Sequence, residues 1–269
     1  MDKFRLTHAA AQKYDNHSVP AMFGPLARAT LDKMLLPDSA NIIDVACGTG
    51  ALTREIAARL QGSGRIVGAD LNETMIELAK ERHPPDAHDA TYVASDVCEL
   101  PFEDGGFDLA FCQQGVQFFP DKPAALAEIR RVLKNHGKLK LTCWSAVSPF
   151  NGALSDALEV HVGVVASAKA KAPFSFRDGD VISDLLENAG FMIEAHQIIV
   201  LERRFENLFE QIMALPVEKD LRDAGDAITR AVVDDVAVRL ERYADNEVFV
   251  VPQEAHLFEA RILGSFAPS

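Results

Sequence analysis

The stretch Asp44-Val45-Ala46-Cys47-Gly48-Thr49-Gly50 constrains the fold of this chain more than any other. It follows the apolar pair Ile42-Ile43 and precedes an amphipathic segment, residues 51–60, whose Leu52, Ile56 and Leu60 form one i, i+4 row. A second apolar run, residues 65–69, then ends on an acid, Asp70. Strand, glycine turn, helix, strand and terminal acid, in that order, make the nucleotide-binding half of a doubly wound sheet. Glycines let the backbone pass close to a ligand, and a strand-terminal acid can accept both hydrogen bonds of a ribose diol.

The turn also says which nucleotide. A dinucleotide site has a small third residue, in G-x-G-x-x-G/A, that seats a helix N-terminus against a pyrophosphate. Here the third position is Thr53, and the acid Asp44 opens the turn. A carboxylate repels a pyrophosphate and attracts a cationic amino acid. The pattern therefore favours S-adenosylmethionine (SAM), which carries an ammonium and a sulfonium and no phosphate.

The alternation continues along the chain. Asn72 is placed to cap a helix with Met75, Ile76 and Ala79 inward, ended by Pro84-Pro85. Residues 91–94 and 107–112 read as strands three and four. Asp121 is placed to cap a helix bearing Leu126, Ile129 and Leu133, and Gly137 turns into a fifth strand, residues 138–144. Such βαβ order implies a parallel sheet with right-handed crossovers. Beyond it lie two apolar helical pieces in residues 145–179, a helix stopping at Gly190, a strand over 191–201, and a helix marked by Phe205, Leu208, Phe209 and Ile212. A further helix carries the stripe Ile228, Val232, Val236, Leu240, and two short terminal strands, 247–251 and 255–262, flank Pro252.

These motifs resemble those of the class I SAM-dependent methyltransferases, in the ubiquinone/menaquinone methylase-like branch. Asp44 to Gly50 resembles the family's first motif, D/E-x-G-x-G-x-G, with Ala46 at the first glycine. Asp70-Leu71 resembles the acid ending strand two, and Ser95-Asp96-Val97 the adenine-contacting motif after strand three. Leu100-Pro101-Phe102 and Phe107-Asp108-Leu109 resemble the approach to strand four. Residues 128–137 resemble the helix and turn before strand five, with Asn135-His136 where P-G is usual. The resemblance spans roughly residues 40–145. It implies an α/β fold: a Rossmann-like, mostly parallel sheet of seven strands, helices on both faces, the last strand antiparallel, plus a helical lid and insertion. Residues 1–37 would form the lid and 38–269 the SAM-binding domain, with a substrate cap around 145–179 and helices around 204–243.

The resemblance also implies roles. Asp44 would sit near the methionine ammonium, and Ala46, Gly48 and Gly50 would let the backbone approach the methionine. Asp70 would hold the ribose hydroxyls and Leu71 would pack on the adenine. Asp96 would accept from the adenine amine, with the Val97 amide at the ring nitrogen, and Gln113 would complete the cofactor site. Taken singly, each acid could be an ordinary turn or cap residue; three in register favour the cofactor reading.

The acceptor is expected beyond the carboxyl ends of the strands. Gln114, Gln117 and Phe118 after strand four, Tyr14, Met22 and Phe23 of the lid, and Trp144 at the end of strand five suit an apolar pocket with sparse polar anchors. One of Phe118 and Phe119 is expected in the core instead. The segment lacks the N/D-P-P-Y/F tetrapeptide of nucleic-acid amino-methylases and departs from the Arg-Asn pattern of quinone C-methylases. A base is needed only where the acceptor must lose a proton. His17, in the lid, and His161, in the insertion, are the candidates, and no catalytic residue is assigned.

The expected activity is methyl transfer from SAM to a small, fairly apolar molecule at oxygen or carbon rather than nitrogen, giving S-adenosylhomocysteine (SAH). The alternative keeps the cofactor without methylation, as a cyclase-like or accessory protein. A net charge of −13 argues against nucleic acid as partner, because that affinity rests on cations neutralising phosphates. No run spans a bilayer, no signal peptide is visible, and the four cysteines, Cys47, Cys98, Cys112 and Cys143, lack metal or disulfide spacing and read as buried residues of a reducing compartment. A cytoplasmic enzyme without a metal is expected, with a small-molecule acceptor, no membrane insertion, and a homodimer left open.

Overall fold

The computed structural model describes residues 7–32 and 34–263, so the first residues of the expected lid and Lys33 lie outside it. The described chain begins with α1 (His8–Lys13), a π-helical stretch (Tyr14–Phe23) containing Pro20, and α2 (Gly24–Leu31). The sheet then alternates with helices: β1 (Ile42–Val45), α3 (Ala51–Ala57), β2 (Ile66–Asp70), α4 (Glu73–Arg82), β3 (Ala90–Ala94), β4 (Phe107–Gln113), α5 (Lys122–Val132) and β5 (Leu133–Trp144). After these come α6 (Pro149–His161), α7 (Val164–Lys171), α8 (Gly179–Asn188), β6 (Phe191–Phe205), α9 (Leu208–Met213), α10 (Glu218–Ala224), α11 (Asp226–Arg239), β7 (Ala244–Asp245) and β8 (Val248–Ile262).

Strand order is β3-β2-β1-β4-β5-β8-β6, with the two-residue β7 paired to β8. β1 to β5 are mutually parallel, and β8 runs antiparallel to both β5 and β6. The expected seven-strand α/β architecture is thus present, and β7 is a small addition to it. The order in which successive strands are added reverses between β1 and β4, which opens a crevice at their carboxyl ends.

The two faces are covered by different helices. Ile43, Val45, Ala110 and Leu141 pack with Leu126 and Ile129 of α5 and with Ile182 and Leu186 of α8. Ile42, Leu109 and Phe111 pack with Ala27 and Leu31 of α2 and with Leu52 and Ile56 of α3. Asp44 shares strand parity with Ile42, so its carboxylate points to the α3 side. A separate core joins Phe150, Leu154 and Leu158 of α6 to Ile212 of α9, Leu221 of α10 and Val232 and Val236 of α11. The insertion and the later helices, distant in sequence, therefore form one helical cap.

Some local expectations differ. The two short terminal strands are one continuous β8 through Pro252. Pro252 lies opposite Glu202 of β6, while β5 pairs with β8 only as far as Ala255, so the missing N–H falls where β8 has no second neighbour. β6 extends to Phe205, which leaves that residue on a strand rather than on α9. Strand β5 begins at Leu133, before the anticipated turn, and its pairing with β4 shifts register between Phe107 and Leu109. Cys47, Cys112 and Cys143 are buried, whereas Cys98 is half-buried, because it lies in the turn after β3 and not on the strand.

Candidate cofactor and acceptor site

The glycine turn forms as its residues require. Gly48 and Gly50 have φ of +56° and +80°, in the left-handed region. Ala46, at the position where the family has glycine, also holds φ +58°. Its methyl group occupies room that Gly115 leaves: a Cβ on Gly115 would lie 2.6 Å from Ala46 Cβ. Gly115 is thus a site residue that the sequence reading missed; the departure at Ala46 was the signal, but its partner is far along the chain.

Asp44 is 1% exposed, and its Oδ2 accepts from Thr53 Oγ1 at 2.7 Å. Its Oδ1 is buried and has no partner. Burial raises the Asp44 pKa to about 7, opposed by the Thr53 hydrogen bond and reinforced by Asp70. An orphaned, poorly solvated carboxylate oxygen at the end of β1 fits an incoming ammonium. Thr53, the residue that spoiled the dinucleotide motif, turns out to orient this acid.

Asp70 ends β2. Its Oδ2 accepts from the Gly48 N–H at 2.8 Å and its Oδ1 from the Asn72 N–H at 2.9 Å. Burial raises its pKa, and the two backbone donors oppose that. The carboxylate therefore ties the glycine turn to β2, and each oxygen keeps a second lone pair for a ribose hydroxyl. Leu71 is half exposed beside it, free to cover a base. Asp96 lies in the turn after β3; its Oδ1 accepts from the Cys98 N–H at 2.9 Å, and Val97 packs on the core beneath. These residues fit the adenosyl and methionine parts of SAM.

The N-terminal segment expected to act as a lid crosses this turn. Tyr14 lies over Gly48, with its hydroxyl 3.8 Å from where a Gly48 Cβ would be, so it stands at the cofactor end and not only at the acceptor end. Burial, and then Asp70, push its phenol pKa up. Asp15 pairs with Arg54 of α3 at 3.7 Å and Arg82 of α4 at 3.1 Å. Gln113, at the end of β4, donates from Nε2 to the Phe23 carbonyl at 3.1 Å, and its Oε1 is buried without a partner.

The acceptor-side residues largely come together. Ring centres run Tyr14 to Phe23 at 5.1 Å, Phe23 to Trp144 at 6.2 Å and Trp144 to Phe174 at 6.1 Å. Met22 is buried in the same cluster. Phe174 was not anticipated. Gln114 holds φ +56°, and its Oε1 accepts from Gln117 Nε2 at 3.1 Å, both residues buried. Phe119 is the core phenylalanine, and Phe118 is 43% exposed.

The two histidine candidates lie elsewhere. His17 lines a cavity of about 610 Å³ between the lid and α9 to α11, with Lys13, Phe209 and Met213. His161 ends α6 and pairs with Asp235 of α11 at 3.3 Å, which gives it a place in the cap. Among the described residues no group of three or more His, Cys, Asp or Glu could hold a metal ion, and no helix is long and apolar enough to cross a membrane.

The fold and the cleft define a SAM-binding enzyme of the methyltransferase class. The methyltransferase domain family matches residues 43–141. The ubiquinone/menaquinone biosynthesis C-methyltransferase UbiE of Escherichia coli O1:K1 is 30% identical over 202 residues, 68% of this chain and 80% of that enzyme. The enzyme of the same name from Citrifermentans bemidjiense is 39% identical over 114 residues, 42% of this chain and 48% of that enzyme, so that match spans about half its length. Phosphoethanolamine N-methyltransferase 2 of Haemonchus contortus, solved with SAH, has the same fold at 21% identity and TM-score 0.59, over 97% of this chain and 58% of that one. The chain belongs to the class I SAM-dependent methyltransferases of the ubiquinone/menaquinone type.

Proposed function

We propose that this chain methylates carbon or oxygen of a small, flat, largely apolar molecule, as a cytoplasmic enzyme that needs no metal. The observation that carries the reading is the aromatic row Tyr14, Phe23, Trp144 and Phe174 beside the carboxyl ends of β4 and β5. SAM supplies an electrophilic methyl group when bound. Asp44 and Asp70 hold the two ends of the cofactor that the glycine turn separates. The lid and the aromatic row exclude water from the cleft, and alignment of two bound reactants lowers the barrier of a direct displacement. Gln113 and Gln114 offer one orphaned acceptor and one orphaned donor to a polar edge of the acceptor.

Relatives named as quinone C-methyltransferases support a ring compound of that general kind. The glutamine-rich segment after β4, Gln113, Gln114 and Gln117, supports an acceptor of this chain's own. No side chain is assigned as base, since His17 and His161 both lie away from the cleft. The experiment is a screen of quinols, phenols, naphthols and small amines for SAH release, with the methylated atom located by NMR. Turnover of ring carbons or hydroxyls is expected; turnover confined to the amines would overturn the reading.

A further inference from the structure

The cap and the sheet extension hold buried polar groups that the reading above leaves without a role. Arg203, on β6, is 1% exposed, and its Nε and Nη1 have no hydrogen-bond partner. Its Nη2 donates to Gln211 Oε1 of α9 at 3.0 Å. Its guanidinium carbon lies 4.1 Å from the centre of the Phe150 ring and 5.5 Å from that of Phe205. No carboxylate among the described residues pairs with it, and burial alone lowers its pKa to about 9. Gln253, on β8, is also 1% exposed, and both its Nε2 and its Oε1 lack partners. A guanidinium and a primary amide are seldom kept dry and unpaired unless a ligand completes them.

Register places these groups on one surface. Arg203 lies opposite Val251, and Leu201 opposite Gln253. Residues two apart on a strand share a face, so Arg203 and Gln253 are diagonal neighbours on it. The same face carries Trp144 opposite Ala255, Thr142 opposite Leu257, and Gln113 beside Thr142. Thr142 Oγ1 and Gln113 Oε1 are buried and unpartnered as well. A row of unsatisfied polar atoms therefore runs from the end of β4, past Trp144, to Arg203. From Ala255 to Val251 along β8 the rise is about 13 Å.

We infer that Arg203 and Gln253 receive the carboxylate of the methyl acceptor, so that the acceptor is an elongated aromatic or alkyl acid whose apolar body lies along Trp144. This rests on the proposed methyl transfer to an apolar molecule and narrows it. Both forks of a guanidinium share Nη2, and Gln211 takes only one of its two hydrogens, so one fork, Nη2 with Nε or with Nη1, remains to match the two oxygens of a carboxylate, and the rings of Phe150 and Phe205 keep water from competing. Gln253 Nε2 supplies a further donor. Gln211 faces Arg203 from α9, and Phe209 and Met213 of the same helix line the cavity of about 610 Å³ that opens beside the lid. Entry then requires α9 to part from the sheet, which opens the packing of Leu208 and Ile212 with Phe205 of β6 and Val251 of β8 and leaves the core beneath α5 and α8 closed.

The test uses the full chain saturated with SAH and two probes, 8-phenyloctanoate and its neutral amide. Calorimetry should show the acid binding at least tenfold tighter than the amide, and the acid should change the emission of Trp144, the one tryptophan of the chain. Arg203→Gln should bring the acid down to the level of the amide while SAH affinity is retained. Gln253→Glu gives Arg203 an internal counter-charge; it should raise the melting temperature and remove the preference for the acid, and it serves where Arg203→Gln fails to fold. Equal binding of acid and amide, an undiminished preference in Gln253→Glu, or displacement of the acid by an equal concentration of acetate would each overturn the inference. Turnover of neutral acceptors without any acid preference overturns this inference alone and leaves methyl transfer standing.

Discussion

Asp44 is a buried acid at the glycine turn, and its behaviour with pH follows from its burial. Its pKa, 3.8 in an ordinary setting, rises to about 7 in the fold. SAM and SAH bring an ammonium that needs the ionised form, so affinity for both should climb as pH rises to about 7 and then level off, as calorimetry across that range would show. Stability runs the other way. The folded chain holds this proton more tightly than the unfolded chain, so the contribution is full below 3.8 and is lost as pH rises through about 7. Asp44→Asn should therefore leave unliganded stability little changed near pH 4, raise it at pH 8 in denaturant titrations, and abolish SAM binding. At Asp70 the structure changes what a substitution means. Its oxygens already accept from Gly48 and Asn72, so Asp70→Ala should weaken SAH and also destabilise the turn by about 1–3 kcal/mol. Asp70→Asn keeps an oxygen for one donor and should lose less of both; equal losses in the two variants would contradict the assignment. The acids were legible from spacing. The hydrogen bond from Thr53 to Asp44 and the room that Gly115 leaves for Ala46 were not, because both are contacts that only the folded turn creates.

Among the elements, the N-terminal segment is the one whose proposed action as a lid the geometry makes testable. Asp15 ties the π-helical stretch to α3 and α4 on either side of the glycine turn. Partly exposed pairs of this kind contribute roughly 1 kcal/mol at most, which is about a fivefold change in a rate. Asp15→Ala should speed SAH release by up to that factor in stopped-flow traces, with the association rate little altered; unchanged release would mean the pairs only trim the surface. Removing residues 1–23 outright is a cruder probe, because Ala21 and Met22 are buried against Trp144 and Leu257 and their loss opens that core. The sequence showed a lid-like apolar segment with two prolines and a glycine, yet its π-helical winding was not legible. A wide turn is selected by what the segment spans, here the glycine turn on one side and β6 on the other.

For the molecule as a whole, the central sheet and the cap respond to ligand differently. SAH held at the proposed site, between the carboxyl ends of the strands and the N-terminal segment, would link the sheet core to that segment. At a hundredfold excess over its dissociation constant it should stabilise the fold by about 2.7 kcal/mol, which is several degrees in melting temperature, while NAD should do nothing. An equal shift with both would return the turn to the dinucleotide class. The acidic net charge of −13 predicts no measurable retention of the chain by double-stranded DNA at physiological salt.

Local spacing alone determined the glycine turn, the acids Asp44, Asp70 and Asp96, the alternation through β5 and the capped helices at Asn72 and Asp121. Each of these depends on residues within a few positions of one another, where backbone geometry and short-range hydrogen bonds decide. Tertiary structure alone decided that β8 runs unbroken through Pro252 between β5 and β6, that residues 145–179 and 204–243 share one core, and that His161 belongs to that cap. It alone decided that Arg203, which in sequence looks like part of the charged run Glu202-Arg203-Arg204, is buried. Strand parity turns Glu202 and Arg204 to solvent and Arg203 inward, and only the helices folded over that face make inward mean dry.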